Sequence, residues 1–186
     1  MKLSLVKKKF GLFMKNIFMY IFILFCSLFS TSSWGSQKTV DGTNLFVIER
    51  NRDTNQIYYD VHTTSANELD VNNPINIYWI KHTDNSNVEP LTWVQNKYAY
   101  GIHYESISVD EVRFSFVSYK ERIMTLKKGR DGIFHVYTTV NDTEVILNKI
   151  FVQIDGGSFW FPKIPKIELH VQDPISKIRL IETVKP

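Results

Sequence analysis

Short apolar runs with a two-residue period dominate the chain after its first 35 residues. Residues 57–62 and 166–172 both carry apolar side chains at every second position, with more polar side chains between them. This alternation is typical of strands that bury one face, which is the usual arrangement in antiparallel sheets. The pattern therefore predicts an all-β fold.

The predicted strands are short and are separated by clusters of Asn, Asp, Gly and Ser, which favour turns. They cover residues 45–50, 56–63, 75–82, 102–107, 112–119, 122–127, 133–139, 144–155, 166–172 and 177–183. Connections of hairpin length leave no room for the crossover helices that a parallel sheet requires. We therefore expect an antiparallel β-sandwich with one short helix, and a closed β-barrel is the alternative. Strand 144–155 is apolar on both faces around Ile150 and is expected to lie centrally.

One segment, residues 90–101, departs from the two-residue period. Pro90 is suited to a first helical position, and Gly101 is suited to the position that follows a helix. Leu91, Val94 and Tyr98 share one face at helical spacing. The segment is therefore predicted to form a helix of about two or three turns that covers one edge or end of the sheet.

The start of the chain has the three parts of a secretory signal. Five lysines and no acidic residue lie in the first 35 residues, where a 13-residue apolar run, 17–29, precedes a small polar stretch. This apolar run would span about 20 Å as a helix, against about 30 Å for a bilayer core. Ser33 and Gly35 fit a cleavage site. We expect a helical signal segment at residues 1–35 and one exported domain, periplasmic or extracellular, at residues 36–186; a retained membrane anchor is the alternative.

The net charge of +3 belongs to the leader rather than to the domain. Without the five leader lysines the chain has 17 basic and 19 acidic residues, which is a net charge of −2. Binding of nucleic acid phosphates needs a basic patch on the folded domain. We therefore expect no nucleic-acid partner, and we expect membrane contact only through an uncleaved leader.

Cys26 is the only cysteine, and it lies within the leader. The domain that follows therefore has no disulfide, no cysteine nucleophile and no cysteine ligand for zinc. The histidines are at least 20 positions apart and form no metal-binding motif; they are His62, His82, His103, His135 and His170. We expect neither a metal nor another cofactor.

The sequence also lacks the common catalytic motifs. It contains no G-x-S-x-G nucleophile motif and no glycine-rich loop that opens a helix onto a phosphate. No catalytic residue is therefore assigned. A hydrolase that pairs Glu49 or Asp60 with a strand histidine is kept as an alternative.

A set of aromatic and cationic residues surrounds the predicted helix and offers a ligand-binding site. The residues assigned to it are Tyr78, Lys97, Tyr100, Tyr119, Lys120, Arg122 and Lys149. Lys149 interrupts an otherwise apolar strand, so its amine must reach water or pair with a carboxylate. It is interpreted either as a structural ion pair or, with Lys97 and Arg122, as part of a cleft for an anionic or sugar-like ligand.

Several short blocks follow one another in the order found in a known family. They are Asn44-Leu-Phe-Val-Ile-Glu-Arg-Asn51, Tyr59-Asp60, Ile77-Tyr-Trp-Ile80, Leu91-Thr92, Lys97-x-Ala-Tyr-Gly101, Tyr119-Lys-Glu-Arg122 and Lys149-Ile-Phe-Val152. On these blocks the chain resembles the domain-of-unknown-function family DUF4833. The resemblance implies a small bacterial protein, often with a signal peptide, and no assigned activity. An acidic residue of the family pattern is replaced here by Gln95, which weakens any proposal of a catalytic carboxylate on the helix.

The absence of catalytic motifs favours a non-catalytic binding or structural module of the cell envelope. Its partner is expected to be an unidentified ligand or an envelope protein. Besides the hydrolase, a second alternative is a barrel that uses inward aromatic residues to hold an apolar ligand. That alternative requires an internal cavity of several hundred cubic ångströms.

Overall fold

The computed structural model describes residues 44–158 and 161–185. The predicted signal segment and its cleavage site therefore lie outside the described residues. Strands make up 61% of the structure and one short helix accompanies them, which confirms the all-β prediction. None of the helices in the described ranges is long and apolar enough to cross a membrane.

Within the described residues, eleven strands form one connected sheet. They are β1 (Asn44–Arg50), β2 (Asp53–Val61), β3 (Ile75–Lys81), β4 (Asn87–Pro90), β5 (Ile102–Ser108), β6 (Glu111–Phe116), β7 (Tyr119–Lys128), β8 (Phe134–Val140), β9 (Thr143–Gln153), β10 (Lys166–Gln172) and β11 (Arg179–Val184). Between β4 and β5, the helix α1 (Trp93–Gln95) continues as a π-helical turn (Asn96–Tyr100). We call α1 and this turn together the helical segment.

The sheet is curled, and nine of its strands form a half-barrel in the order β4-β3-β2-β1-β9-β8-β7-β6-β5. Strand β9 lies at the junction because three strands pair with it. β8 pairs with its first part and β1 with its later part, while β10 pairs along most of its length. β11 adds to β10 as an edge strand. The predicted central position of residues 144–155 is thereby confirmed.

The sheet is mixed rather than purely antiparallel. β1 and β9 run parallel, with Val47 opposite Lys149 and Arg50 opposite Val152. The antiparallel prediction was wrong at this junction because it considered only the connections between consecutive strands. Seven other strands separate β1 from β9 in the chain. No short crossover is therefore needed to place them side by side.

Aromatic side chains join distant strands of the curled sheet in its core. Phe46 on β1 stacks on Tyr59 of β2 with 4.4 Å between ring centroids. Phe116 on β6 meets both rings edge-on. Aromatic pairs of this kind add about 0.5–1.5 kcal/mol to the free energy gained by burial. They hold β6 against β1 and β2, although β6 is a neighbour of neither strand in the sheet.

The helical segment begins later than predicted. The Thr92 hydroxyl accepts a hydrogen bond from the Gln95 backbone N–H at 3.3 Å, and the Gln95 side chain accepts one from the Thr92 N–H at 2.9 Å. This reciprocal capping fixes the helix start at Trp93. The prediction that Pro90 opens the helix was wrong, because Pro90 is the last residue of β4.

Gly101 also has a different role from the predicted one. Its φ of −65° is not left-handed, so it does not end the helix as a glycine in that conformation does. A Cβ built on Gly101 would lie 1.9 Å from the backbone oxygen of Asn96. Glycine is needed here because the backbone passes too close to the helical segment for any side chain.

Candidate ligand-binding site

A cavity of about 800 Å³ lies between the helical segment and the curled sheet. Strands from both halves of the sheet line it, as does the helical segment. Its volume falls within the range of small-molecule sites in proteins, roughly 300–1,000 Å³. The cavity therefore meets the size requirement of the apolar-ligand alternative.

The inner surface of the cavity is apolar. Phe116 and Met124 line it from β6 and β7, Leu147 and Ile150 from β9, and Leu169 from β10. We call these five residues the apolar floor. Each is buried, with at most 7% of its surface exposed. Contact between this surface and the hydrocarbon part of a ligand is favourable because it removes apolar area from water. The surface offers a ligand no hydrogen bond.

A second part of the lining, at the end of β1, is polar. Arg50 Nη2 donates to both carboxylate oxygens of Asp53, at 3.0 and 2.7 Å, and its Nη1 donates to the Tyr100 hydroxyl at 3.1 Å. The guanidinium carbon lies 4.6 Å from the centroid of the Trp79 ring. Contacts with a carboxylate, a hydroxyl and an aromatic face hold this guanidinium in one orientation. We call the following cavity-lining residues the polar end: Arg50, Arg52, Asp53 and Tyr100.

The hairpin between β1 and β2 positions the polar end. Arg50 and Asp53 are the last paired residues of the two strands, so their ion pair closes the hairpin. The Asp53 carboxylate also accepts a hydrogen bond from the Asn55 backbone N–H at 3.1 Å. Local chain geometry therefore fixes the Asp53 carboxylate, and that carboxylate fixes Arg50.

Two hydrogen bonds hold the helical segment over the cavity. Tyr59 donates its hydroxyl proton to the backbone oxygen of Tyr100 at 2.6 Å, and Ser118 donates to that of Ala99 at 2.7 Å. Burial, followed by the neighbouring Tyr100, raises the pKa of Tyr59 well above its ordinary value. The Tyr59 hydroxyl therefore stays protonated and remains a donor at any ordinary pH.

Arg122 lines the cavity from β7, and Glu182 of β11 neutralises its charge. Arg122 Nη1 and Nη2 donate to the two carboxylate oxygens of Glu182 at 2.8 and 2.9 Å. Nη1 also donates to the Thr139 backbone oxygen at 3.3 Å. This two-point pair connects the C-terminal edge strand to β7.

Comparison with known proteins places this architecture in a family. A family model, described as a domain of unknown function, matches residues 46–183, which is most of the chain. The chain belongs to the DUF4833 family. No curated protein and no solved structure gives a significant match. The function of this DUF4833 protein must therefore be argued from its own cavity.

The DUF4833 fold brings part of the predicted site together. Of the seven residues assigned from the sequence, Tyr100, Tyr119 and Arg122 line the cavity. Four do not line it: Tyr78, Lys97, Lys120 and Lys149. Their contacts lie elsewhere on the sheet and on the helical segment, and the ligand-binding role assigned to all seven stays a prediction.

Tyr78 contacts a buried carboxylate outside the cavity lining. Its hydroxyl donates to Asp60 Oδ2 at 2.6 Å, while Asn44 Nδ2 donates to Oδ1 at 2.9 Å. Asp60 is 4% exposed, although alternation along β2 placed it on the polar face. Burial, and next the hydrogen bond to Asp60, raise the pKa of Tyr78 far above its ordinary value.

The three lysines outside the cavity have separate environments. Lys149 Nζ lies 3.1 Å from Glu49 Oε2, so the geometry supports the ion-pair interpretation of this residue. Lys97 Nζ lies 4.6 Å from the Trp93 ring centroid and 5.2 Å from that of Tyr98. Lys120 is exposed on β7. The ammonium groups thus contact a carboxylate, two aromatic faces and solvent.

Sequence reasoning missed Arg50, Arg52 and Asp53. A signal was present, because an arginine ends an apolar strand and an aspartate follows three residues later across an Asn-containing turn. That pattern is common on protein surfaces, and it marks a site here since the curled sheet places the turn at the cavity.

The geometry brings no carboxylate–histidine pair to the cavity within the described residues. Histidines contact carboxylates elsewhere, in the pairs His62–Asp70, His135–Asp131 and His170–Glu168. None of these residues lines the cavity. Groups of three or more metal-ligating side chains are also absent from the described ranges. The hydrolase alternative therefore gains no support from the cavity.

Proposed function

We propose that this DUF4833 protein is a non-catalytic binding module that holds an amphipathic molecule in its cavity. The observation that carries the proposal is a cavity of about 800 Å³ that combines the apolar floor with the polar end. The floor covers the hydrocarbon part of the ligand, and the polar end binds its hydrophilic group. A ligand with hydroxyls along its whole length, such as a sugar, would leave them without partners on the floor.

In this proposal the sheet acts as a barrel-like container rather than as a two-sheet sandwich. The half-barrel formed by nine strands supports this interpretation. So does the origin of the apolar floor, which comes from β6, β7, β9 and β10 rather than from two facing layers.

Export is also part of the proposal. Its support is the leader, in which five lysines and no acid precede a 13-residue apolar run, 17–29. The mass of the protein recovered from cells that express the full chain tests it. Cleavage after Gly35 gives a chain that begins at Ser36, whereas an intact mass in every fraction would contradict export with cleavage.

A cavity-filling substitution tests the binding function. Val152 lines the cavity, so Val152→Trp places an indole where the ligand body would lie. Titration with the neutral apolar dye N-phenyl-1-naphthylamine should give saturable fluorescence enhancement with the wild-type protein. Val152→Trp should weaken dye binding about tenfold or more, since roughly 1.4 kcal/mol of lost hydrocarbon contact is a factor of ten.

Val109→Trp is the matched control for this titration. Val109 is 77% exposed and does not line the cavity, so the same substitution there should leave dye affinity unchanged. Equal dye binding by Val152→Trp, Val109→Trp and the wild type would contradict binding of an apolar molecule against Val152 in the cavity.

A further inference from the structure

The polar end presents hydrogen-bond donors to the cavity. Because the Tyr100 hydroxyl accepts from Arg50, its own proton is left to donate to another group. Gln95 also lines the cavity; its side-chain oxygen accepts from the Trp79 indole and the Thr92 N–H, so its amide nitrogen is left to donate. A ligand group that meets these donors must supply acceptor oxygens.

The charges in and beside the cavity leave a cation in excess. Three neutral ion pairs are formed, namely Arg50–Asp53, Lys81–Glu89 and Arg122–Glu182. Arg52 lines the cavity as well, and no carboxylate pairs with it in the part of the chain that the structure describes. An unpaired guanidinium stabilises a nearby anion more than a neutral group.

Arg50 links the Tyr100 hydroxyl to the turn that carries Arg52. Arg52 follows Arg50 by two residues in the β1–β2 turn, and Arg50 contacts the Tyr100 hydroxyl. The Tyr100 hydroxyl and the Arg52 guanidinium belong to residues that both line the cavity, so they are the donor and the cation available to a ligand group there.

We propose, on the basis of the proposed function, that the hydrophilic group of the ligand is an anion. Tyr100 donates a hydrogen bond to one of its oxygens, and Arg52 supplies the compensating charge. Arg50 is a positioning residue, because it orients the Tyr100 hydroxyl without giving up its pairing with Asp53. The ligand class is an acyl or alkyl chain that ends in a carboxylate or a phosphate.

Matched amphiphiles test the proposal on protein recovered from cells that express the full chain. Hexadecanoic acid, hexadecyl phosphate and hexadecan-1-ol share one chain length and differ in the end group. Each is titrated against bound N-phenyl-1-naphthylamine, below the concentration at which it aggregates. We expect the wild-type protein to bind the anions about tenfold or more tightly than the alcohol, because hydrogen bonds to charged groups are stronger than those to neutral groups.

Two variants separate the anion contacts from the rest of the cavity. Tyr100→Phe should weaken anion binding about tenfold and alcohol binding less, because a hydrogen bond to an anion is stronger than one to a neutral oxygen. Arg52→Gln should weaken anion binding about threefold at low salt and less at high salt, because the charge is exposed and screened. Arg130→Gln, at an exposed turn arginine outside the cavity, should change neither affinity.

The outcomes distinguish this inference from the binding function itself. The anionic end group would be overturned if the wild type bound anions and alcohol equally. It would also be overturned if Tyr100→Phe and Arg52→Gln weakened the binding of both equally. Either result would leave the binding function intact. Failure of all three amphiphiles to displace the dye would overturn the amphipathic-ligand function as well. The tighter of the two anions identifies the end group as carboxylate or phosphate, and either result supports the inference.

Discussion

At the residue scale, Asp60 and Arg50 are polar side chains that each bond to two other side chains. Asp60 is buried and receives hydrogen bonds from Tyr78 and Asn44. Arg50 donates to Asp53 and Tyr100 at the polar end. Buried charges are stable when such partners surround them, and removal of one partner costs more than the bond itself contributes. Removal of a single hydroxyl from a tyrosine partner, Tyr78 for Asp60 or Tyr100 for Arg50, therefore tests each contact.

Tyr78→Phe should lower the free energy of unfolding by about 1–3 kcal/mol, because it removes a donor from a buried carboxylate. Chemical denaturation measures this loss. Tyr58→Phe is the control, since Tyr58 stacks on Tyr78 but its hydroxyl donates to the half-buried Gln56 side chain. The control should cost less than about 1 kcal/mol. Equal losses for the two variants would contradict a special role for the Asp60 contact.

Single residues were the hardest part to predict from the sequence. Alternation placed Ile57 and Tyr59 in the core, and both are buried. It placed Asp60 on the polar face, where Tyr78 and Asn44 from other strands enclose it. Partners that come from other strands leave no trace in a local pattern, and the position of Arg50 was missed for the same reason.

At the scale of elements, the C-terminal hairpin depends on contacts with the rest of the sheet. β11 pairs with β10, and its Glu182 reaches Arg122 on β7. Both side chains of this pair are mostly buried, at 18% and 25% exposure. A two-point pair with little solvent access is worth more than an exposed pair.

A double-mutant cycle on Arg122→Ala and Glu182→Ala should give a coupling free energy of about 1 kcal/mol. The control cycle is Lys127–Glu144, a pair 2.7 Å apart with side chains 31% and 53% exposed. That cycle should give less than about 0.5 kcal/mol. Couplings of the same size in both cycles would mean that Arg122–Glu182 does not tie β11 to β7.

The turn between β10 and β11 depends on the ionised form of Asp173. Its carboxylate accepts from the backbone N–H groups of Ser176 and Ile175 at 2.6 and 2.9 Å. Both hydrogen bonds lower the pKa of Asp173 below its ordinary value of 3.8, and the bond from Ser176 has the larger effect. Because the pKa is lower in the folded protein, the ionised carboxylate stabilises the fold fully when the pH is above the ordinary pKa. This stabilisation is lost as the pH falls through the lowered pKa of the folded protein.

Asp173→Ala should therefore lower Tm at neutral pH, and the difference from the wild type should shrink as the pH falls below about 3.8. Thermal unfolding followed by circular dichroism across this range measures the effect. Asp84→Ala, at an exposed position in the β3–β4 turn, is the control. A difference for Asp173→Ala that is constant with pH would contradict the role of the carboxylate.

Most strands could be predicted, and the exceptions have physical reasons. Alternation is a local signal, and it located the strands that bury one face. β4 was missed because its four residues are largely exposed and carry no apolar alternation. The parallel pairing of β1 with β9 was missed because it joins segments that lie about 100 residues apart in the chain.

At the scale of the whole molecule, the cavity is the feature that most needs an explanation. Protein interiors are close-packed, and an unfilled space deprives its lining of dispersion contacts. A ligand that covers the buried apolar floor of this cavity of about 800 Å³ would supply such contacts and would raise the stability of the protein. No local pattern predicts the cavity, because it arises from the curl of the sheet and the placement of the helical segment.

Native mass spectrometry of the protein recovered from cells that express the full chain tests the central claim most directly. The wild-type protein should carry extra mass that denaturation releases as an amphipathic molecule. Val152→Trp should lose that mass, while Val109→Trp should retain it. A bare wild-type protein, or the same bound mass on Val152→Trp, would contradict a ligand held in the cavity.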